Sequence, residues 1–195
     1  MKLIVSEFLT LDGVMQGPGG ADEDREGGFE HGGWQGPYFD DAEEGKAIDA
    51  TMNETGAFLL GRRTYDIFAA YWPTSTGEFA DVMNDMPTFV ASRTLSEPLE
   101  WKNSTLLKGD VAEAVRELKE GDGKAIQVIG SGELAQTLMA NDLVDEYRLM
   151  VYPVVLGAGK LLFREGGPRI ALKLVDGSIT TKGVQILTYR PEREE

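Results

Sequence analysis

The chain has 195 residues, of which 42% are hydrophobic, and its 33 acidic and 19 basic side chains give a formal net charge of −14 at pH 7. This length and composition predict a single folded domain over residues 1–195. The acidity excludes the duplex-binding class, which needs a cationic surface, so we expect no nucleic-acid partner. No stretch resembles a membrane span, and the N-terminal sequence has no signal-peptide core, so we expect a cytoplasmic protein. The chain contains no cysteine, which excludes disulfides and cysteine-bound metals, and we assign no metal site.

Predicted strands and helices alternate along most of the chain. Strands are expected at residues 2–8, 57–60, 88–91, 105–107, 125–129 and 146–155, and near 171–175 and 184–189. Helices are expected at residues 40–53, after Thr64 as a possible N-cap, after Asp110 in a capping-box-like start, and after Gly132. This alternation predicts an α/β domain whose central, mostly parallel sheet of about eight strands carries helices on both faces. The closing run of strands predicts antiparallel additions at one edge.

The segment from Asp12 to Gly36 is rich in glycine and acidic residues and has no periodicity, which predicts a long surface loop. Loops longer than about fifteen residues inside a domain are usually functional or disordered. Phe29 and Trp34 lie among glycines that permit movement, so we predict a lid that excludes water from a reaction site. The alternative is a loop that packs against a neighbouring subunit.

Three turns at the C-terminal ends of predicted strands carry residues that suit an anion, and α/β sheets bind ligands at this edge. Gly130-Ser131-Gly132-Glu133-Leu134 opens a helix, whose free N–H groups suit a phosphate. Gly61-Arg62-Arg63-Thr64 offers two guanidinium groups, and Ser92-Arg93 offers a hydroxyl and a guanidinium for the 2′-phosphate of NADPH. Each could alone be an ordinary turn or a solvated pair. Their coincidence in an acidic chain favours a nucleotide site, although no acid follows near residues 150–155 as a Rossmann fold requires.

The same motifs, taken in order, resemble those of a known family. Leu11-Asp12-Gly13-Val14-Met15, residues 60–65, Ser92-Arg93, residues 129–134 and residues 153–157 are similar to the dihydrofolate-reductase-like family. That family contains the reductase domain of the bifunctional riboflavin-biosynthesis deaminase–reductase. The resemblance covers nearly the whole chain and is greatest to stand-alone members that carry the sequence of Gly27–Trp34.

The resemblance implies a dihydrofolate-reductase-like three-layer fold, NADPH as cofactor, and a homodimer. It implies that the Gly61 and Ser92 turns hold the adenosine phosphates, that the Gly130 turn holds the pyrophosphate, and that Leu11 to Val14 passes near the nicotinamide. In the folate-reducing branch a carboxylate on the first helix binds the pterin. An ungapped count back from Gly61 places Gly45 there, a departure that argues against true dihydrofolate reduction.

Hydride transfer needs a dry pocket and often a proton donor. Asp12 is the acid expected nearest the cofactor ring, or else a turn residue before Gly13; Glu44 and Asp41 could face the pocket or lie on a solvated helix face. Trp34, Tyr38 and Phe39 could stack on a flat heterocycle or simply pack the loop. Leu156 precedes the Gly157-Ala158-Gly159-Lys160 bend, which lacks the Walker spacing and is expected to line the pocket. His31 is assigned no catalytic role.

Two functions follow from these observations. The first is an NADPH-dependent reductase that transfers hydride to a small heterocyclic acceptor, either 5-amino-6-ribosylaminouracil-like or pterin-like. The second is a non-catalytic NADPH-binding or sensing module of the same fold. NADPH binding without oxidation by any acceptor would favour the second function.

Overall fold

The computed structural model describes residues 1–39 and 42–193. Within them eight strands form one sheet in the order β4-β3-β2-β5-β1-β6-β8-β7. Their bounds are β1 Leu3–Thr10, β2 Thr55–Gly61, β3 Thr88–Ala91, β4 Ser104–Leu106, β5 Ala125–Ile129, β6 Glu146–Tyr152, β7 Leu172–Ile179 and β8 Gln185–Pro191. Strands β1 to β6 are parallel, whereas β8 pairs antiparallel with both β6 and β7. The prediction of a mostly parallel eight-stranded sheet with an antiparallel edge is confirmed.

Helices cover both faces of this sheet, which confirms the three-layer prediction. Their bounds are α1 Glu44–Glu54, α2 Arg62–Tyr71, α3 Glu78–Asp85, α4 Val111–Glu120 and α5 Gly132–Ala140. Alternate residues of a strand point to opposite faces. Leu59 of β2 therefore packs in a cluster with residues of α4 and α5, while Phe58 and Leu60 pack in another with residues of α1, α2 and α3.

Several element boundaries differ from the sequence expectations. Helix α2 begins at Arg62 after Gly61, with no side-chain cap, so the prediction that Thr64 caps it is wrong. Asp110 does cap α4, because its side chain accepts a hydrogen bond from the Glu113 N–H at 3.0 Å. Strand β6 ends at Tyr152, short of residue 155. Helix α3 was not anticipated. The predicted start of the first helix at Asp40 lies outside the described residues.

The segment from Asp12 to Gly36 is more tightly packed than a surface loop. Val14, Phe29 and Trp34 are buried in one cluster with Met150, Tyr152 and Val184. The indole N–H of Trp34 donates to the Gln16 carbonyl at 2.8 Å, and its ring meets that of Tyr152 edge-on. Phe29 and Trp34 are therefore part of a hydrophobic core of the protein.

In the part of the chain that the structure describes, we find no helix with the length and apolar character needed to cross a membrane.

Candidate functional site

The three turns singled out from the sequence lie side by side. They follow β3, β2 and β5, which are consecutive in the sheet, and because these strands are parallel their C-terminal ends share one edge. The Gly61 N–H donates to the Ser131 hydroxyl at 2.9 Å, which joins the first turn to the third. An Arg62 guanidinium N–H donates to the Thr94 hydroxyl at 2.7 Å, which joins the first turn to the second. The fold thus brings the three predicted phosphate-binding turns together.

Thr64 and Ser131 hold the turns together rather than pointing freely outward. The Ser131 N–H donates to the Thr64 hydroxyl at 2.9 Å, and the Ser131 hydroxyl donates to the Ile129 carbonyl at 2.9 Å. Gly130 has a positive φ of 55°, and a Cβ there would lie 2.9 Å from the Thr64 hydroxyl oxygen. Glycine is therefore required at position 130 both by the backbone conformation and by this close approach.

Helix α5 begins immediately after this interlocked turn. The N–H groups of a helix's first turn have no partner within the helix, and they carry positive potential. Leu134 is buried in the core and anchors the helix, whereas the exposed Glu133 forms an ion pair with Arg164. A Cβ added to Gly132 would meet only the ends of two flexible side chains, the Met15 sulfur at 3.1 Å and an Arg164 nitrogen at 3.3 Å. These features fit a phosphate group approaching the backbone.

The arginines of the site differ in how they are held. Arg62 forms an ion pair with Asp66 at 2.7 Å, and Arg63 forms one with Asp24 of the long loop at 3.1 Å. Ser92 accepts hydrogen bonds from the N–H groups of Thr94 and Leu95 at 3.2 and 3.1 Å. Arg93 is exposed and forms no ion pair with any residue in 1–39 or 42–193. Of these three arginines it is the one whose charge is left available to an anion.

A groove of about 2240 Å³ runs past the three turns and under α1. It exceeds the roughly 300–1,000 Å³ of a single small-ligand pocket, so it has room for a dinucleotide and an acceptor. All of the predicted phosphate-binding residues line it: Gly61, Arg62, Arg63, Thr64, Ser92, Arg93, Gly130, Ser131, Gly132, Glu133 and Leu134.

Of the residues expected near the nicotinamide and the acceptor, only some line the groove. Phe39 lines the groove, but Trp34 and Leu156 do not. Trp34 is buried in the loop core, and Leu156 packs at the edge of the same cluster. Leu11 is largely exposed and Val14 is buried away from the groove. Met15 and Gln16, which we did not predict, line the groove instead.

Of the predicted acids, the two that the structure describes, Asp12 and Glu44, do not line the groove. Burial alone would raise the pKa of Asp12, but hydrogen bonds from the Thr10 hydroxyl and from the backbone N–H groups of Gly157 and Leu156 hold it below its ordinary value. Asp12 is therefore an anion that ties two loops together. Glu44 is fully buried and accepts a hydrogen bond from the Tyr152 hydroxyl at 3.3 Å. It does not line the groove itself, although Gln35, which donates to the same hydroxyl at 2.8 Å, does. Asp41 lies outside the described residues.

A buried acid that we did not predict lines the groove on β1. Glu7 is 6% exposed, and burial raises its pKa well above the ordinary value, although the nearby Gly130 N–H partly lowers it. One feature of the sequence could have identified Glu7, since it is an acid within the apolar run of the first strand. A charged residue is rarely buried without a partner or a shifted pKa.

Two further cations in the groove come from the segment between β6 and β7. The Lys160 ammonium contacts Asp24 at 2.8 Å and also pairs with Glu26. Burial alone would lower the pKa of Lys160, but these carboxylates raise it. Lys160 and Arg63 together form ion pairs with Asp24, which hold the long loop beside the three turns. Arg164 lies beside Gly132. Lys160 belongs to the bend that was expected to line the pocket, whereas nothing in the sequence indicated that Arg164 would reach the groove.

Comparison with known proteins agrees with this architecture. Residues 1–187 match the RibD C-terminal domain family. The chain is 32% identical over 143 residues to the uncharacterized protein YyaP of Bacillus subtilis (strain 168), covering 71% of this chain and 75% of that one.

Two solved structures share the fold. A putative riboflavin biosynthesis protein from Shewanella sp. PV-4 superimposes with a TM-score of 0.77 at 22% identity, over 99% of this chain and 100% of that one. A pyrimidine reductase-like protein from Corynebacterium diphtheriae gives a TM-score of 0.68 at 13% identity, over 99% and 92%. At these identities the likeness concerns the fold.

Proposed function

Because the chain belongs to the RibD C-terminal domain family, a family of reductase type, we propose that it is an NADPH-dependent reductase of a small heterocyclic acceptor. The acceptor would be 5-amino-6-ribosylaminouracil-like or pterin-like. The observation that carries the proposal is the convergence of three anion-compatible turns at the ends of β3, β2 and β5, where Arg93 has no ion pair among the described residues.

The residues of the turns suit the parts of NADPH in a definite order. Arg93 and the Ser92 hydroxyl would hold the 2′-phosphate, since a charge-assisted hydrogen bond to phosphate is among the stronger polar contacts. Gly132 and the first turn of α5 would hold the pyrophosphate through backbone N–H groups. Bound NADPH would supply hydride to the acceptor, and the groove beside α1 has space for that acceptor.

One observation favours the second candidate, a non-catalytic NADPH-binding module. Of the carboxylates on α1, Glu44 is buried and only Glu54 lines the groove, where it is paired with Arg148. Neither is available to bind an acceptor as the pterin-binding carboxylate of the folate-reducing branch does. The acceptor would then have to be recognised from the sheet or by the loop, or be absent altogether.

The experiment has two steps. First, the purified protein is titrated with NADPH and with NADH, and we expect NADPH to bind at least about tenfold more tightly, as one charged hydrogen bond allows. Second, pterin, ribosylaminopyrimidine and carbonyl compounds are screened for acceptor-dependent oxidation of NADPH. Oxidation with one class supports the reductase, whereas tight NADPH binding without any oxidation supports the binding module. Failure to bind NADPH contradicts both.

A further inference from the structure

Glu7 occupies a particular position in the sheet. Strand β1 lies between β5 and β6. It pairs with β5 only as far as Ser6, opposite Ile129, whereas its pairing with β6 extends further and places Glu7 opposite Leu149. Beyond Ile129 the chain of β5 turns away at Gly130. Glu7 is therefore the first residue of β1 past its last contact with β5, at the opening between the two strands.

The carboxyl group of Glu7 is buried at this opening without a matching charge. The residue is 6% exposed and lines the groove, and its Oε1 atom has no hydrogen-bond partner among the described residues. The Gly130 N–H lies close enough to influence it, and burial favours its protonated form. A buried polar atom left without a partner costs about 1–3 kcal/mol, so a ligand group that satisfies Oε1 is favoured there.

The order of the strands gives the direction in which a dinucleotide must lie. Arg93 follows β3, Gly61 follows β2, Gly130 follows β5, and Glu7 is on β1, in that spatial sequence across the sheet. With the 2′-phosphate at Arg93 and the pyrophosphate at the Gly130 turn, the nicotinamide half continues toward β1. The group that reaches the opening beside Glu7 is thus the ring end of the cofactor.

A protonated carboxyl group presents one O–H donor and one carbonyl acceptor side by side. A primary carboxamide presents the complementary pair, a carbonyl acceptor and an N–H donor, so the two groups can form two hydrogen bonds together. An ionised carboxylate would instead repel the phosphates bound at the neighbouring turn. The chemistry at this position therefore suits a neutral amide and not an anion.

We propose that Glu7 binds the carboxamide of the nicotinamide ring and so fixes the ring at the opening between β1 and β5. This inference rests on the proposed NADPH site and adds to it a residue that selects the nicotinamide end of the cofactor.

The test compares Glu7→Leu and Glu7→Gln with the wild type, using two ligands. Leu fills the same space without polar atoms, whereas Gln keeps one donor and one acceptor. We expect Glu7→Leu to weaken NADPH binding by about tenfold or more, the effect of losing a pair of buried hydrogen bonds. Binding of 2′,5′-ADP, which lacks the nicotinamide half, should stay within about twofold. Glu7→Gln should bind NADPH nearly as well as the wild type.

Thermal unfolding of each variant shows whether it is folded, and titration of the wild type with the 3-acetylpyridine analogue of NADPH needs no variant at all. We expect the analogue, which has no amide N–H, to bind more weakly than NADPH. Unchanged NADPH affinity in folded Glu7→Leu, equal losses for NADPH and 2′,5′-ADP, or equal affinity of the wild type for the analogue would each overturn the assignment. If wild-type protein binds 2′,5′-ADP and not NADPH, the proposed function fails at the cofactor, and the inference fails with it.

Discussion

Arg93 combines exposure with the absence of an ion pair among the described residues, while Arg62 and Arg63 are each held by an aspartate. A guanidinium held by a carboxylate must give up that contact to bind phosphate, and Arg93 need not. We therefore predict that Arg93→Ala weakens NADPH binding by about tenfold or more, because a charged hydrogen bond contributes about 1.5–3 kcal/mol. NADH binding should change little. The measurement is a titration of each variant with both cofactors.

Arg169→Ala is a matched control for this prediction. Arg169 is exposed, carries the same charge and does not line the groove. The control should leave both affinities close to wild type, which separates a local contact from a change of net charge. Equal losses for NADPH and NADH in Arg93→Ala would show that the 2′-phosphate is bound elsewhere.

Glu7 also makes a prediction about stability and pH. Burial raises its pKa well above 4.5 in the folded state, so the folded protein holds this proton more tightly than the unfolded chain. The free energy of unfolding of the wild type must then fall as the pH rises from 4.5 toward the pKa of Glu7 in the folded state, by up to about 1.4 kcal/mol per pH unit. Glu7→Gln does not titrate. We expect equal free energies of unfolding below pH 4.5 and a growing advantage for the variant above it.

Denaturant unfolding of both proteins across this range measures the difference. The control is Glu133→Gln, because Glu133 is an exposed glutamate on the surface of α5. A difference between wild type and Glu7→Gln that does not change with pH would show that Glu7 is not held in its protonated form.

At the scale of single residues, the sequence predicted positions but not partners. The turns at Gly61, Ser92 and Gly130 were identifiable because glycine, arginine and serine follow apolar runs. That Thr64 and Ser131 fasten two turns to each other depends on the order of strands in space, which no local pattern contains. Asp12 was expected either near the ring or as a turn residue before Gly13, and only its hydrogen bonds in the structure show that it is held as an anion between loops.

The start of α5 carries a prediction at the scale of a structural element. Gly132 has an ordinary backbone conformation, and a Cβ there meets only flexible side-chain ends. Gly132→Val should therefore fold, while its branched side chain occupies the space that a phosphate would need. We predict loss of NADPH binding with a largely intact thermal transition. Gly45→Val in α1 is the control, since a Cβ at Gly45 meets nothing within 4 Å. Unchanged NADPH affinity in folded Gly132→Val would make the turn purely structural.

The long loop yields a prediction different from that of a simple lid. Trp34 is 6% exposed, and its indole N–H is bonded to the Gln16 carbonyl. Replacing a buried tryptophan by alanine typically costs about 3–5 kcal/mol. We predict that Trp34→Ala lowers the free energy of unfolding by an amount of this order, measured by denaturant titration. Trp34→Phe, which keeps a ring and loses the hydrogen bond, should lose much less. A stable Trp34→Ala variant whose only change is a raised KM for the acceptor would instead support the interpretation of this loop as a lid.

At the scale of elements, hydrophobic periodicity predicted the sheet and most of its helices. It did not predict α3, because the run from Glu78 to Asp85 is only eight residues long and follows a proline-containing turn. It described the segment from Asp12 to Gly36 as a surface loop, because burial there arises from contacts with Tyr152 and Val184, far away in sequence. Irregular segments have no period, so their packing is visible only in three dimensions.

At the scale of the whole molecule, the edge strand β7 is conspicuous. Every residue from Lys173 to Ile179 is exposed, and β7 is the last strand of the sheet. The apolar side chains of Leu174, Val175 and Ile179 are 52%, 45% and 69% exposed. An exposed edge strand with apolar side chains is a site for pairing with another chain, and contiguous apolar patches mark interfaces. We propose that β7 forms the contact of the homodimer that the family resemblance implies.

This proposal predicts a mass in solution. Light scattering on wild-type protein should give twice the 21.3 kDa of the chain. Ile179→Lys should shift the mass toward that of the monomer, because a symmetric interface would have to bury the new ammonium group of each subunit. Val82→Lys is the matched control, since Val82 on α3 is 44% exposed and remote in sequence from the edge strand. The control should remain dimeric. A monomeric wild type, or a dimer that tolerates Ile179→Lys, would show that β7 is an exposed edge and that the subunits meet elsewhere or not at all.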